Sequence, residues 1–194
     1  MQHRNLTRIM KLQQQHLILN GHRNHQTGAL ALVADHCDVF INHRGVDTKR
    51  NMASLLYHHL SLLNVRSFLD MNTLKPGDCL SERIQNAIRD CKVGIAVFSP
   101  NYGSSYYCLL ELALMMEMKK KIIPVFFDVM PSEIHVNPRQ MHCTSGEIQR
   151  FHRALEEAKM AVGLVFNSLK GNWSDVLTTT SDIVMKRLTE IDGK

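Results

Sequence analysis

The fold is decided by the stretch Val93-Gly94-Ile95-Ala96-Val97-Phe98, which carries no polar side chain. A strand that is covered on both faces has this nearly continuous apolar character, which is typical of parallel sheets. Residues 99–103 are predicted to form a loop, and a very apolar helix is predicted for residues 104–118. A buried strand followed by a buried helix indicates an α/β domain.

The same alternation of strand and helix extends in both directions from this stretch. It predicts strands at residues 38–41, 65–69, 93–98, 122–127 and 162–166, and helices at residues 48–63, 80–90, 104–118, 146–160 and 173–191. This order predicts a parallel five-stranded sheet with helices on both faces. With the common strand order 2-1-3-4-5, a ligand crevice lies between the carboxyl ends of strands one and three. Residues 43–45 and 99–111 would line it.

Length and charge indicate how many domains the chain forms and which partners it is expected to bind. The 194 residues fit one domain of about 150 residues with an appendage. The charge is 23 − 18 = +5, but residues 1–34 hold four basic residues and no acid, so the remainder carries 19 − 18 = +1. A near-neutral domain lacks the basic face of a nucleic-acid binder, so nucleic acid is not an expected partner.

The first 36 residues differ from the rest of the chain. They are basic and contain five of the eleven histidines, which predicts a disordered tail, with an organellar targeting segment as the alternative. The five cysteines stand singly, which indicates neither a disulfide framework nor a zinc site. No apolar run reaches the roughly 18 residues that span a bilayer. We expect a soluble protein without a membrane partner, located in the cytoplasm, with the nucleus as an alternative location.

One acidic residue stands out in the apolar helix. Glu111 lies in residues 108–117, which are apolar on nearly every side. Burying a carboxylate without a partner costs several kcal/mol, so Glu111 either has a structural partner or faces the crevice. The pattern alone leaves both roles open. Motifs for a dinucleotide cradle, a Walker A loop, a zinc protease and a serine hydrolase are absent.

Four stretches occur in a distinctive order: DVFINHRGVDTK at 38–49, LKPGD at 74–78, SPNYGSSYYCLLEL at 99–112 and IPVFFDVMPS at 123–132. Together they resemble the boxes of a Toll/interleukin receptor (TIR) domain of the plant type, over residues 37–192. Because no nucleotide-binding or leucine-rich region follows, we expect a small TIR-only protein. The resemblance implies the flavodoxin-like version of the predicted sheet.

The resemblance also implies an activity. Many plant TIR domains hydrolyse NAD⁺ and NADP⁺, release nicotinamide, and form ADP-ribose or cyclic variants that act as immune signals. The family's essential glutamate falls on Glu111, which becomes the predicted catalytic residue. The resemblance implies no metal and no cofactor, since NAD⁺ is the substrate. The alternative is a non-catalytic module that binds other TIR domains.

Further residues are expected at the substrate by the same resemblance. The predicted substrate-binding residues are His43, Arg44, Gly45, Asp70, Lys75, Gly77 and Tyr107. Arg44 and Gly45 fall on a nucleotide-contacting turn, whereas residues 71–79 form a loop that reaches a neighbouring protomer in family assemblies. We therefore expect self-association and contacts with other TIR proteins.

Three positions depart from the family pattern. Asn42-His43 replaces Ser-Phe, Tyr107 replaces Trp, and Val46 replaces an acid. Tyr107 keeps an aromatic face, and either His43 or Tyr107 is a candidate for stacking on the nicotinamide or adenine ring. The changes at residues 42–43 and 46 are expected to affect substrate choice or rate.

Overall fold

The computed structural model describes residues 37–69 and 82–193. In this part of the chain, five strands form one sheet in the order β2-β1-β3-β4-β5. The strands are β1 (Val39–His43), β2 (Ser67–Leu69), β3 (Val93–Phe98), β4 (Lys121–Phe127) and β5 (Leu164–Phe166). All neighbouring strands are parallel. The predicted parallel α/β sheet and its strand order are confirmed.

Six α-helices connect or follow the strands within the described residues. They are α1 (Gly45–Thr48), α2 (Met52–Leu62), α3 (Glu82–Asp90), α4 (Tyr106–Glu117), α5 (Ser145–Met160) and α6 (Trp173–Asp192). The single helix predicted for residues 48–63 is wrong at its start, because Asn51 interrupts it. The Asn51 side chain accepts a hydrogen bond of 2.6 Å from the Met52 N–H and so begins α2 as a new helix.

The core consists of two apolar layers, one on each face of the sheet. On one face, Phe40 and Phe98 pack with side chains of α3, α4 and α5. On the other face, Val39 and Ile41 pack with side chains of α2 and α6. Every residue of β3 is buried, as its apolar sequence predicts for a strand covered on both sides. Successive residues of β1 therefore alternate between the two faces of the sheet, and this alternation determines which side chains at the end of β1 face α4.

The start of α4 fixes the helix that carries the predicted catalytic residue. A 3-10 turn at Tyr102–Ser104 follows β3, and Ser105 then caps α4 by accepting a hydrogen bond of 3.4 Å from the Cys108 N–H.

None of the described helices has the length and apolar character that a bilayer span requires.

Candidate active site

The strand order reverses between β1 and β3, and the connections that follow these strands are tied together there. Asp47, in α1, accepts a hydrogen bond of 2.6 Å from the Ser99 hydroxyl. The same carboxylate accepts two bonds of 3.1 Å from the backbone and side-chain amides of Asn101. The turn after β1 and the loop after β3 are therefore held against each other at the predicted crevice.

Glu111 lies on the side of α4 that faces the end of β1. Glu111 is only 7% exposed, and its Oε2 accepts a hydrogen bond of 2.8 Å from Nδ2 of Asn42. Asn42 is itself fully buried in β1. The acidic residue found in the apolar sequence thus has a polar partner at the switch point of the sheet.

Asn42 is held in turn by the 3-10 turn and by α4. The Tyr102 hydroxyl donates a hydrogen bond to Oδ1 of Asn42. Nδ2 of Asn42 also donates to the Cys108 carbonyl oxygen at 3.1 Å. The Tyr102 ring is fully buried against Phe98, with ring centroids 4.8 Å apart. Burial raises the pKa of Tyr102 well above its ordinary value, so the hydroxyl remains a donor.

His43 lies next to Asn42 in the strand but not beside Glu111. Successive side chains of a strand point to opposite faces, so His43 lies on the α2 face when Asn42 faces α4. Its Nε2 is buried without a hydrogen-bond partner. Burial, with a smaller contribution from Lys49, lowers the pKa of His43 to about 4, so the ring is neutral near pH 7.

Arg44 and Gly45 form the turn that follows β1. Nη1 of Arg44 donates a hydrogen bond of 3.0 Å to the Ser105 hydroxyl, which places the guanidinium at the start of α4. The Nε of Arg44 is buried and has no partner. A Cβ added to Gly45 would meet no atom within 4 Å, so the space next to this glycine is open.

The tyrosines near the start of α4 have different environments. The Tyr106 hydroxyl donates to Glu147 at 2.7 Å, and its ring packs on Phe151 in α5. Tyr107 is partly buried, packs edge-on against Tyr106, and precedes Glu111 by four residues. Residues four apart lie on the same face of a helix, so Tyr107 lies about one turn before Glu111 on the same face of α4.

A family model described as a TIR domain matches residues 36–191 of this sequence. The chain belongs to the TIR domain family. The match covers the sheet and every element of the site described above, and it confirms the family that the sequence resembles.

Two curated plant proteins are similar to this TIR domain. The probable 2' cyclic ADP-D-ribose synthase BdTIR of Brachypodium distachyon is 43% identical over 159 residues, which are 80% of this chain and 70% of that protein. The TMV resistance protein N of Nicotiana glutinosa is 31% identical over 173 residues, covering 81% of this chain. The aligned part is only 14% of the length of protein N.

A solved structure has the same fold. The TIR domains of the activated Roq1 resistosome, which recognises the pathogen effector XopQ, match with a TM-score of 0.63 and 26% sequence identity. The match covers 76% of this chain and 99% of that chain. The plant relatives and this structure confirm the predicted plant-type TIR fold.

The structure does not describe every residue of the predicted site of this TIR domain. Asp70, Lys75 and Gly77 fall outside the described residues, as does the tail predicted for residues 1–36. Within residues 37–69 and 82–193, no three His, Cys, Asp or Glu side chains gather as a metal site.

A cavity of about 340 Å³ lies between the loop after β3 and the segment that follows β4. It is lined by Pro100, Gly103, Ser104 and residues 133–137. Of the catalytic and substrate-binding residues predicted within residues 37–69 and 82–193, none lines this cavity, although Pro100, Gly103 and Ser104 belong to the predicted crevice stretch 99–111.

The partners of Glu111 were not predicted from the sequence. In the sequence, Asn42 stands out only as a departure from the family pattern, and Tyr102 lies within the stretch at 99–112 without a predicted role. One signal for Asn42 was available, because period-two alternation places Phe40 and Asn42 on the same face of β1. Nothing in the sequence indicates that Tyr102 reaches Asn42, because 60 residues separate them.

Proposed function

We propose that this TIR domain cleaves the nicotinamide–ribose bond of NAD⁺ or NADP⁺. The products are nicotinamide and ADP-ribose or a cyclic ADP-ribose that signals in plant defence. The observation that carries the proposal is the buried Glu111 carboxylate near the point where the strand order reverses between β1 and β3. Asn42 orients this carboxylate through a hydrogen bond of 2.8 Å. The 43% identity to a probable 2' cyclic ADP-D-ribose synthase supports the same chemistry.

The reaction suits a single buried carboxylate. Breaking the glycosidic bond develops positive charge on the ribose, as in glycoside hydrolysis, and the same carbon then bonds to water to give ADP-ribose or to a group of the same substrate molecule to give a cyclic product. A carboxylate held next to that sugar in a site with little water stabilises the charge and orients the ribose hydroxyls. Nicotinamide leaves as a neutral molecule, so the bond can break without a metal or a cofactor. We assign this role to Glu111.

The turn after β1 suits the phosphate-bearing part of the substrate. Arg44 brings a guanidinium to the start of α4, and guanidinium groups bind phosphate oxygens through paired N–H donors. The open space beside Gly45 lets a ligand approach the backbone closely. Tyr107 offers an aromatic face next to Glu111. Because His43 lies on the α2 face, we propose that it shapes the turn rather than stacking on a substrate ring.

The central test is Glu111→Gln, which keeps the size of the side chain and removes its charge. We expect NAD⁺ turnover to fall by about 10²–10³-fold or more, because a pre-oriented charge at the transition state contributes this much in comparable sites. Nicotinamide release would be measured chromatographically at high protein concentration. An unchanged circular dichroism spectrum would show that the fold is intact.

Glu117→Gln is the matched control on the same helix. Glu117 is exposed and pairs with Arg150 at 2.6 Å, away from the β1 end. We expect its loss to leave turnover unchanged, since exposed ion pairs contribute little. Equal turnover by the Glu111→Gln variant and the unsubstituted protein would contradict the proposed role. Absence of turnover in the folded, self-associated protein would favour the non-catalytic TIR–TIR module.

A further inference from the structure

We propose that Asn42 and Tyr102 form a positioning pair that holds Glu111 ionised and aimed into the crevice. Asn42 lies directly against the carboxylate, and Tyr102 orients Asn42 from behind. The kinetic test of this inference rests on the proposed function, whereas its titration test does not.

The contacts of the Asn42 amide allow only one orientation. Its NH₂ group donates both to Oε2 of Glu111 at 2.8 Å and to the Cys108 carbonyl at 3.1 Å. A carbonyl oxygen and an ionised carboxylate can only accept hydrogen bonds. If the amide turned over, its Oδ1 would face these two acceptors in a fully buried environment, which leaves buried polar groups unpaired.

Tyr102 adds a second constraint on the same amide. Its hydroxyl has one hydrogen, which it donates to Oδ1 of Asn42, and it also lies 3.2 Å from the Cys108 carbonyl. The Cys108 carbonyl already accepts from Asn42, so donation to Oδ1 satisfies both oxygens. With Oδ1 bound to Tyr102, the NH₂ group must face Glu111.

This arrangement favours the charged form of Glu111. A hydrogen bond donated to a carboxylate stabilises the ionised state and lowers its pKa relative to the same site without the donor. The proposed chemistry requires the ionised state, because only the carboxylate can oppose the positive charge on the ribose. Asn42 and Tyr102 therefore act through Glu111 and need not touch the substrate.

Other charged and titratable groups face the same region from several elements. On α4, the Cys108 thiol donates to the His43 carbonyl at 3.2 Å, and burial raises its pKa to about 12, so it stays neutral. Arg44 and Asp47, in the segment after β1, lie close enough to Cys108 to act on its thiol electrostatically. On the flanking helices, four charged groups have partners of their own: Arg83 lies over Phe68, Arg89 bonds to Asn86, Glu147 bonds to Tyr106, and Arg150 pairs with Glu117.

The kinetic test is the pH profile of kcat for Asn42→Asp. This change keeps the shape of the side chain but replaces the donor with a second carboxyl group against Glu111. Two adjacent carboxyl groups share a proton, so the step in which the pair loses its second proton has a raised pKa. We expect the acidic limb of the profile to move up by about one pH unit or more, with roughly tenfold lower kcat on that limb.

Tyr102→Phe and Tyr106→Phe form the matched pair. Each variant loses one hydroxyl and keeps its ring, but only Tyr102 bonds to Asn42, whereas Tyr106 bonds to Glu147. We expect the acidic limb to move upward in Tyr102→Phe, by less than in Asn42→Asp, and to stay in place in Tyr106→Phe. A change in fold stability alone would not shift the limb.

Titration of Glu111 tests the pair without any turnover. The carboxyl group would be followed by NMR in protein labelled with ¹³C-glutamate and assigned by comparison with Glu111→Gln. We expect its pKa to rise in Tyr102→Phe, and in Asn42→Asp we expect its signal to report a second ionisation step of the pair at higher pH. If the unsubstituted protein does not cleave NAD⁺ but the titration shifts, the proposed function fails and the positioning pair stands.

Unchanged titration of Glu111 in folded Tyr102→Phe and Asn42→Asp would overturn the inference. If Asn42→Asp does not fold, as judged by circular dichroism, Tyr102→Phe decides the outcome by itself. The Tyr102 ring stays packed on Phe98 in that variant, so its fold is expected to persist.

Discussion

His43 makes the stability of this domain depend on pH. Its folded-state pKa is about 4, against an ordinary value of 6.5, because the ring is buried. Below about pH 6.5 the unfolded chain takes up a proton that the folded protein does not, so the free energy of unfolding falls as the pH falls towards 4. Between about pH 7 and pH 4.5 we expect this group to account for a loss of about 2–3 kcal/mol.

The variant His43→Phe removes this proton-binding site and the buried Nε2 that lacks a partner. We expect a smaller loss of stability at acidic pH than in the unsubstituted protein, as measured by urea denaturation at both pH values. His152→Phe, at an exposed position on α5, is the control and should keep the original pH dependence. Identical losses in the His43→Phe variant and the unsubstituted protein would show that His43 titrates normally.

At the scale of elements, Asp47 joins the segment after β1 to the loop after β3. Asp47→Ala removes three hydrogen bonds and leaves the fully buried Ser99 hydroxyl without this acceptor. We expect a destabilisation of about 1–3 kcal/mol and faster amide hydrogen exchange in residues 99–105. NAD⁺ turnover should also fall, since this loop leads into α4 and Glu111.

Asp182→Ala is the control for this prediction, because Asp182 is exposed on α6. It should leave both the exchange rates in residues 99–105 and the turnover unchanged. If Asp47→Ala gives the same exchange rates as the unsubstituted protein, the two connections are held together by other contacts.

For the whole molecule, we propose that activity depends on self-association. The resemblance places Asp70, Lys75 and Gly77 on a loop that reaches a neighbouring protomer, so a single copy would present an incomplete site. Head-to-tail association of different surfaces would complete it. We expect the rate per molecule to increase with protein concentration, in parallel with the oligomer fraction measured by light scattering. A rate strictly proportional to enzyme concentration over the whole range would contradict this.

Much of the architecture could be predicted from local sequence. The apolar run at residues 93–98 and the strand–helix alternation specify a parallel sheet, because burial on both faces requires continuous apolar strands. The crevice between β1 and β3 then follows from the strand order. Glu111 stood out for a similar reason, since a carboxylate among apolar residues needs a partner.

The identity of that partner was decided only by the tertiary structure. Asn42 and Glu111 are 69 residues apart, and their contact depends on the pleat of β1 and on the rotation of α4. The same pleat turns His43 towards α2, whereas its neighbour Asn42 faces α4 and contacts Glu111. The sequence by itself thus determined the layers of this protein and the need for a partner at Glu111. Only the tertiary structure decided which side chains meet at the site, because local sequence patterns do not encode the directions of side chains that are far apart in the sequence.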